Sequence, residues 1–170
     1  MRFLNDGVDK VTLLATQPAD IDAMTVTEAN AGDDHSGSIV NPLDVNFADS
    51  ARFTFKTINV TGNAERNGRT NAAGMLRIVR EYDAATLLVD ATEDATFAAF
   101  GTKGTAVKLA IRRGPKPSAD EWETGDEYDY IELETDTARK VAEDDQYIVY
   151  DVPLVFSGTS AAQKVVAAAA

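Results

Sequence analysis

Residues 146–157, QYIVYDVPLVFS, set Ile148, Tyr150, Val152, Leu154 and Phe156 on one face of an extended chain. At about 3.3 Å per residue such a run reaches roughly 40 Å, longer than most strands of small domains. Pro153 lacks an N–H and so demands an edge, a bulge or a change of sheet at that point. The two runs before it keep the same period. Residues 105–113 (TAVKLAIRR) alternate Val107, Leu109 and Ile111 with Lys108, Ala110 and Arg112. Residues 128–135 (YDYIELET) alternate Ile131 and Leu133 with Tyr130, Glu132 and Glu134. A period of two with one apolar face is the pattern of half-buried antiparallel strands.

Toward the N-terminus the pattern continues in shorter pieces. Residues 75–82 (MLRIVREY) set Leu76 and Ile78 opposite Arg77, and residues 52–60 (RFTFKTINV) put Phe53 and Phe55 together. Residues 10–16 (KVTLLAT) form the first strand, 22–28 (DAMTVTE) a weaker one, and 38–41 a short piece before Pro42. One helix is predicted, over residues 90–101 (DATEDATFAAFG). Asp90 and Thr92 are its cap candidates, acids occupy its first turn, and Gly101 suits its end. Phe97 and Phe100, spaced i and i+3, both face a sheet.

The sum is a β-rich α+β fold: two packed antiparallel sheets with one short flanking helix. Residues 1–158 form the domain, and the small-residue stretch 159–170 (TSAAQKVVAAAA) reads as a C-terminal extension. Residues 61–74 (TGNAERNGRTNAAG) carry three glycines, three asparagines and an Asn67-Gly68 turn signal. That stretch reads as a projecting loop with work to do. Residues 114–127 (GPKPSADEWETGDE) join two strands and hold the single tryptophan, Trp122, whose common role in such a loop is an interface anchor.

Composition narrows the function. The chain of 170 residues is long enough for one domain with a real core, and no apolar run approaches the roughly 18 residues of a membrane span. The N-terminus does not read as a signal peptide. With no cysteine and a single histidine, His35, the materials for thiol nucleophiles, serine–histidine triads and zinc sites are absent. Asp33-Asp34-His35 reads as a solvated turn, because three adjacent residues do not complete a coordination shell. Neither Glu143-Asp144-Asp145 nor Asp90/Glu93/Asp94 has EF-hand spacing. No catalytic, metal or cofactor-binding set is assigned, and the chain is not read as an enzyme. The net charge of −12 disfavours ordinary nucleic-acid binding. It is unevenly spread: residues 1–51 carry −7, residues 52–113 carry +4, and residues 114–151 carry −10. The basic middle and the acidic end suit surfaces that meet between copies.

The order of these parts resembles the major tail proteins, or tail tube subunits, of long non-contractile bacteriophage tails. The resemblance rests on Thr25-Val26-Thr27-Glu28-Ala29-Asn30-Ala31-Gly32, on Phe53-Thr54-Phe55-Lys56 before a polar loop, and on Arg80-Glu81-Tyr82-Asp83. It continues through an Ala/Thr/Phe helix, Arg112-Arg113-Gly114, and a closing Val155-Phe156-Ser157-Gly158. It implies subunits whose sheets join edge to edge into hexameric ring barrels, stacked into a tube. Genomic DNA passes through that tube without specific binding, and other tail proteins sit at its ends. It further implies a virion tail component assembled in the host cytoplasm, with no membrane partner. Under that resemblance Glu132, Glu134, Glu81 and Asp151 are the candidates for an acidic lumen. Asn63, Arg66, Asn67 and Arg69 are the candidates for ring-to-ring contact, facing acids of residues 114–127. Two alternatives stay open on sequence: another phage structural part, such as a tail terminator or capsid decoration protein, and a soluble β-sandwich module that binds carbohydrate.

Overall fold

The structure, a computed structural model, describes residues 7–50, 52–55, 64–67, 70–141 and 147–169, with the backbone alone described at 52–55 and 64–67. In chain order the elements are β1 (Lys10–Leu13), α1 (Val26–Asn30), β2 (Asp33–Asp34), a 3-10 turn (Ser36–Ser38) and β3 (Asp44–Ala48). There follow β4 (Arg52–Phe55), β5 (Ala64–Asn67), β6 (Asn71–Val79), α2 (Ala95–Phe100), β7 (Ala106–Arg112), β8 (Glu127–Thr135), β9 (Arg139–Lys140) and β10 (Val149–Val165). No helix among the described residues is long and apolar enough to cross a membrane.

Where the sequence predicts two packed sheets, the chain forms one large antiparallel sheet in the order β2-β1-β7-β8-β10-β6-β3, with β9 alongside β10. β4 and β5 make a separate two-stranded ribbon. The single sheet is a consequence of β10. Its first half, from Val149 to Val155, pairs with β6; from Leu154 onward it pairs with β8. One strand therefore serves both halves, and what would be two sheets is stitched into one. Pro153 sits at this exchange. Its carbonyl accepts from the Asp136 amide at 2.9 Å, so its nitrogen points the same way, toward the turn after β8, where no ladder bond is lost.

Alternation gives the sheet two faces. Val107, Leu109 and Ile111 of β7, Ile131 and Leu133 of β8, Val152 and Leu154 of β10, and Leu76 and Ile78 of β6 join one apolar cluster. Phe100 is fully buried in it and Phe97 packs at its margin, so α2 lies on this core as the Phe spacing predicts. Because residues from both ends of the strand order meet in one cluster, the sheet must curl around it. The margins come close: Arg113, just past β7, donates to the Val45 carbonyl on β3. On the opposite face, Ala110, Tyr128, Tyr130 and Ala161 pack with Leu14, Met24, Ala29, Trp122 and Val166 in a second cluster.

Several local expectations change. Residues 22–28 do not form a strand: Thr25 caps α1, its hydroxyl accepting from the Glu28 amide while the Glu28 carboxylate accepts from the Thr25 amide at 2.9 Å. The helix predicted over 90–101 is shorter. Asp90 accepts from the amides of Thr92 and Glu93 in a preceding turn, and Asp94 holds Arg80 instead of capping. The loop expected at 61–74 contains β5 and the start of β6. The stretch expected as an extension from 159 lies partly within β10, and Ala167 bridges back to Thr25. Asp33 and Asp34 form β2, with Asp34 paired to Lys10; His35 is buried against Thr96 and Phe100. Burial holds the imidazole below its ordinary pKa, against the opposing pull of Asp33 and Asp34.

Candidate functional site

The second cluster covers only part of the outer face. The remainder, carried by β7, β8, β10, β6 and β3, is open. Cross-strand register defines it: Ala106 lies opposite Glu134, Glu134 opposite Val155, Val155 opposite Ala73, and Ala73 opposite Asn46. Beside this row run Lys108 opposite Glu132, Pro153 between Met75 and the turn after β8, Met75 opposite Asp44, and Asp151 opposite Arg77. Ala106, Glu134, Val155, Ala73, Asn46 and Asp44 are all exposed. The face has no apolar cover among the described residues and presents a broad, mostly polar surface.

Three of the four acidic candidates, Glu132, Glu134 and Asp151, share this face; Glu81 lies beyond the end of β6, at the base of a turn. Their states differ. Glu134 is exposed and makes no side-chain bond among the described residues. Asp151 is held by Arg77 through two bonds of 2.8 and 3.2 Å. Glu132 accepts from the Tyr130 hydroxyl at 2.7 Å and from the Thr159 amide and hydroxyl at 2.8 and 3.0 Å. Burial raises its pKa, but the Thr159 amide, the Tyr130 hydroxyl and the Thr159 hydroxyl outweigh that and hold it below the ordinary glutamate value. The same contact, with burial leading, pushes the Tyr130 phenol up. The face is thus less uniformly acidic than the alternation suggests, since Lys108 and Arg77 sit among the carboxylates.

The second feature is an open sheet margin. Beyond Val155, β10 pairs with β8 on one side only, and no strand among the described residues occupies its other side. Over residues 156–165 this margin has no proline and one charge, Lys164, while irregularities between Phe156 and Ser160 and between Ala161 and Lys164 bend it; charge, proline and bulges are the usual devices that blunt an edge. β3, at the end of the strand order, is a second margin.

The loop candidates are split by the description. Arg66 and Asn67 lie in β5, in register with Phe53 and Arg52; Asn63 and Arg69 lie outside the described residues. Trp122 does anchor its loop, but inward. It is 2% exposed, and its indole N–H donates to the Thr12 hydroxyl at 3.0 Å. Arg112, fully buried, organises the same loop: its guanidinium donates to the carbonyls of Pro117, Asp120 and Glu121, bonds Asp126, and lies 5.5 Å from the Trp122 ring. This arginine was visible in sequence only as the end of a strand. A charged residue on the alternate face of an otherwise apolar run was the signal that it had a partner to reach.

A family model described as phage tail tube protein matches residues 1–169. No curated protein matches the chain. A β-rich subunit with an uncovered sheet face and an unpaired strand margin is suited to continue into its neighbours, and the match spans both features. The chain belongs to the phage tail tube protein family: a structural component of the virion tail that assembles with other copies of itself into a tube.

Proposed function

We propose that six copies close into a ring by joining sheets edge to edge, and that the rings stack so that the open face of β7, β8, β10, β6 and β3 lines the channel. The observation that carries this reading is the margin of β10 over residues 156–165, where no strand among the described residues pairs; apart from the Thr159 and Gln163 amides, bonded to Glu132 and Asp129, its outward N–H and C=O groups are offered to a second chain. A closed ring removes every such edge, and a wide one leaves an aqueous bore. Head-to-tail contacts between unlike surfaces then extend rings into a tube. Glu134 and Asp44 on the open face give the bore carboxylates that repel DNA phosphates, so the genome slides without sticking; Glu132 and Asp151 add charge already partnered in the subunit. Residues 61–74, with Asn63, Arg66, Asn67 and Arg69, make the contact between rings. Assembly takes place in the host cytoplasm, and other tail proteins close the two ends.

Negative-stain microscopy of the purified chain tests this directly. Long tubes of uniform bore with sixfold end views are expected. Monomers under every condition would defeat the reading, and single rings that never stack would reassign the chain to a terminating position.

A further inference from the structure

Six of the eight large apolar side chains exposed among the described residues gather at one place: Tyr82, Leu87, Leu88, Val89, Tyr147 and Ile148. The Arg80 amide donates to the Ile148 carbonyl at 2.9 Å, and Tyr82 bridges Val89, so the six are neighbours at one end of β6 and β10. Leu87 is 77% exposed and Leu88 68%. Their turn is held firmly. One Asp83 carboxylate oxygen accepts from the amides of Ala85 and Thr86 and from the Thr86 hydroxyl, and the Asp83 amide donates to the Leu88 carbonyl at 2.9 Å. Leu87 adopts φ 58°, a conformation that favours glycine or asparagine. A leucine placed there strains the backbone and wets its side chain. Neither helps the isolated subunit.

The surroundings are acidic. Residues 81–94 hold five acids and no base. Of these, among the described residues, only Asp94 has a cationic partner, Arg80 at 2.9 Å; Asp83 and Asp90 bond neutral donors. The complementary stretch of the same sequence is 52–70, with Arg52, Lys56, Arg66 and Arg69 against Glu65 alone. Residues 114–127 are a weaker match, because they carry Lys116 themselves and Glu123 and Asp126 are already paired with Lys116 and Arg112, which leaves Asp120, Glu121 and Glu127.

We infer that the Tyr82–Val89 turn, with Tyr147 and Ile148, is the surface on which a second copy of this chain docks, and that residues 52–70 of that copy meet it. This rests on the tube reading above. The apolar knob supplies the adhesion, and the charge difference sets which segment arrives.

The test compares wild type with a Leu87→Asn/Leu88→Ser chain and uses the absence of cysteine. The double variant is expected to melt at or above the wild-type monomer temperature, because the strain is relieved. It should also raise the concentration at which tubes form by about a hundredfold. Mixed single-cysteine chains, Leu88→Cys with Asn67→Cys, should form disulfide heterodimers in tubes. Wild-type-like assembly by the double variant overturns the docking surface, and so do tubes in which Leu88→Cys links only to itself or to nothing. If the double variant fails to fold, the cross-link decides alone. A wild-type chain that never forms tubes overturns the tube reading, and the docking with it.

Discussion

Glu132 is a carboxylate with two roles open to it, one inside the subunit and one in the bore. The bulge in β10 between Phe156 and Ser160 leaves the Thr159 amide without a ladder partner, and Glu132 supplies one. Gly158 makes the approach possible, since a Cβ there would lie 2.0 Å from the Glu132 Oε2. Glu132→Gln keeps the volume but replaces a charge-assisted acceptor with a neutral amide, so it should cost about 1 kcal/mol at pH 7, read by urea denaturation. The sign with pH follows from its lowered pKa. Its contribution is full above the ordinary glutamate value and is lost as pH falls through the depressed folded value, because the unfolded chain takes up the proton first. The gap between wild type and variant should therefore shrink on acidification below about pH 4; an unchanged gap at pH 3.5 would show that the charge is not what Thr159 uses. Alternation made Glu132 legible as a residue of the outer face. It could not show the bond, because the partner lies 27 residues away and is presented by a bulge whose position depends on register. Trp122 was illegible for the same reason. Its partners, Thr12 and Arg112, come from strands that only the folded sheet brings beside the loop.

At the scale of elements, the strands of strongest alternation were read nearly to their ends: β7 and β8 differ from the sequence expectation by a residue or so. β10 was read to its middle. Past Phe156 it runs Ser-Gly-Thr-Ser-Ala-Ala-Gln-Lys-Val, mostly small or polar residues that carry no alternating pattern of their own. They are extended because β8 offers a ladder. Thr25-Val26-Thr27-Glu28 failed in the opposite direction. Two threonines and a valine suggest a strand, yet Thr followed three residues later by Glu is also a helix start, and the start won. Burial explains the outcome. A helix turns Ala29 into the second core, where it is fully enclosed, and lets Thr25 meet Ala167. Glu28 strengthens the same start, its pKa lowered first by the Ala19 amide and then by the amide and hydroxyl of Thr25. Thr25→Ala should thus cost about 1 kcal/mol of subunit stability, measured by thermal or urea unfolding. A change near zero would mean that α1 is held by packing alone. Because the same residues appeared in the family resemblance, what looked like a family texture is also a capping box.

For the whole molecule, the sheet's two faces and its margin divide the labour. The inner face closes one core, the second cluster covers part of the outer face, and what remains open is a polar surface flanked by an unfinished strand edge. Neither opening benefits an isolated subunit. A strand margin whose one charge, Lys164, is paired with Asp22 is an aggregation hazard unless its partner is specified. The edge pairing proposed for the ring predicts which amides change on assembly. In the monomer, the outward N–H groups of β3 and of residues 156–165 exchange with water, except those of Thr159 and Gln163, which Glu132 and Asp129 hold; β7 and β8, flanked on both sides over most of their length, are protected already. Comparing hydrogen exchange in monomers and tubes should therefore show slowing at roughly alternate amides of 156–165 and of Asp44–Ala48, the period that one ladder imposes. β7 and β8 should stay nearly constant. Slowing confined to residues 82–90 would mean that stacking contacts alone build the tube. Exchange along β10 that is equal in both states would remove edge pairing from the account of how these subunits join.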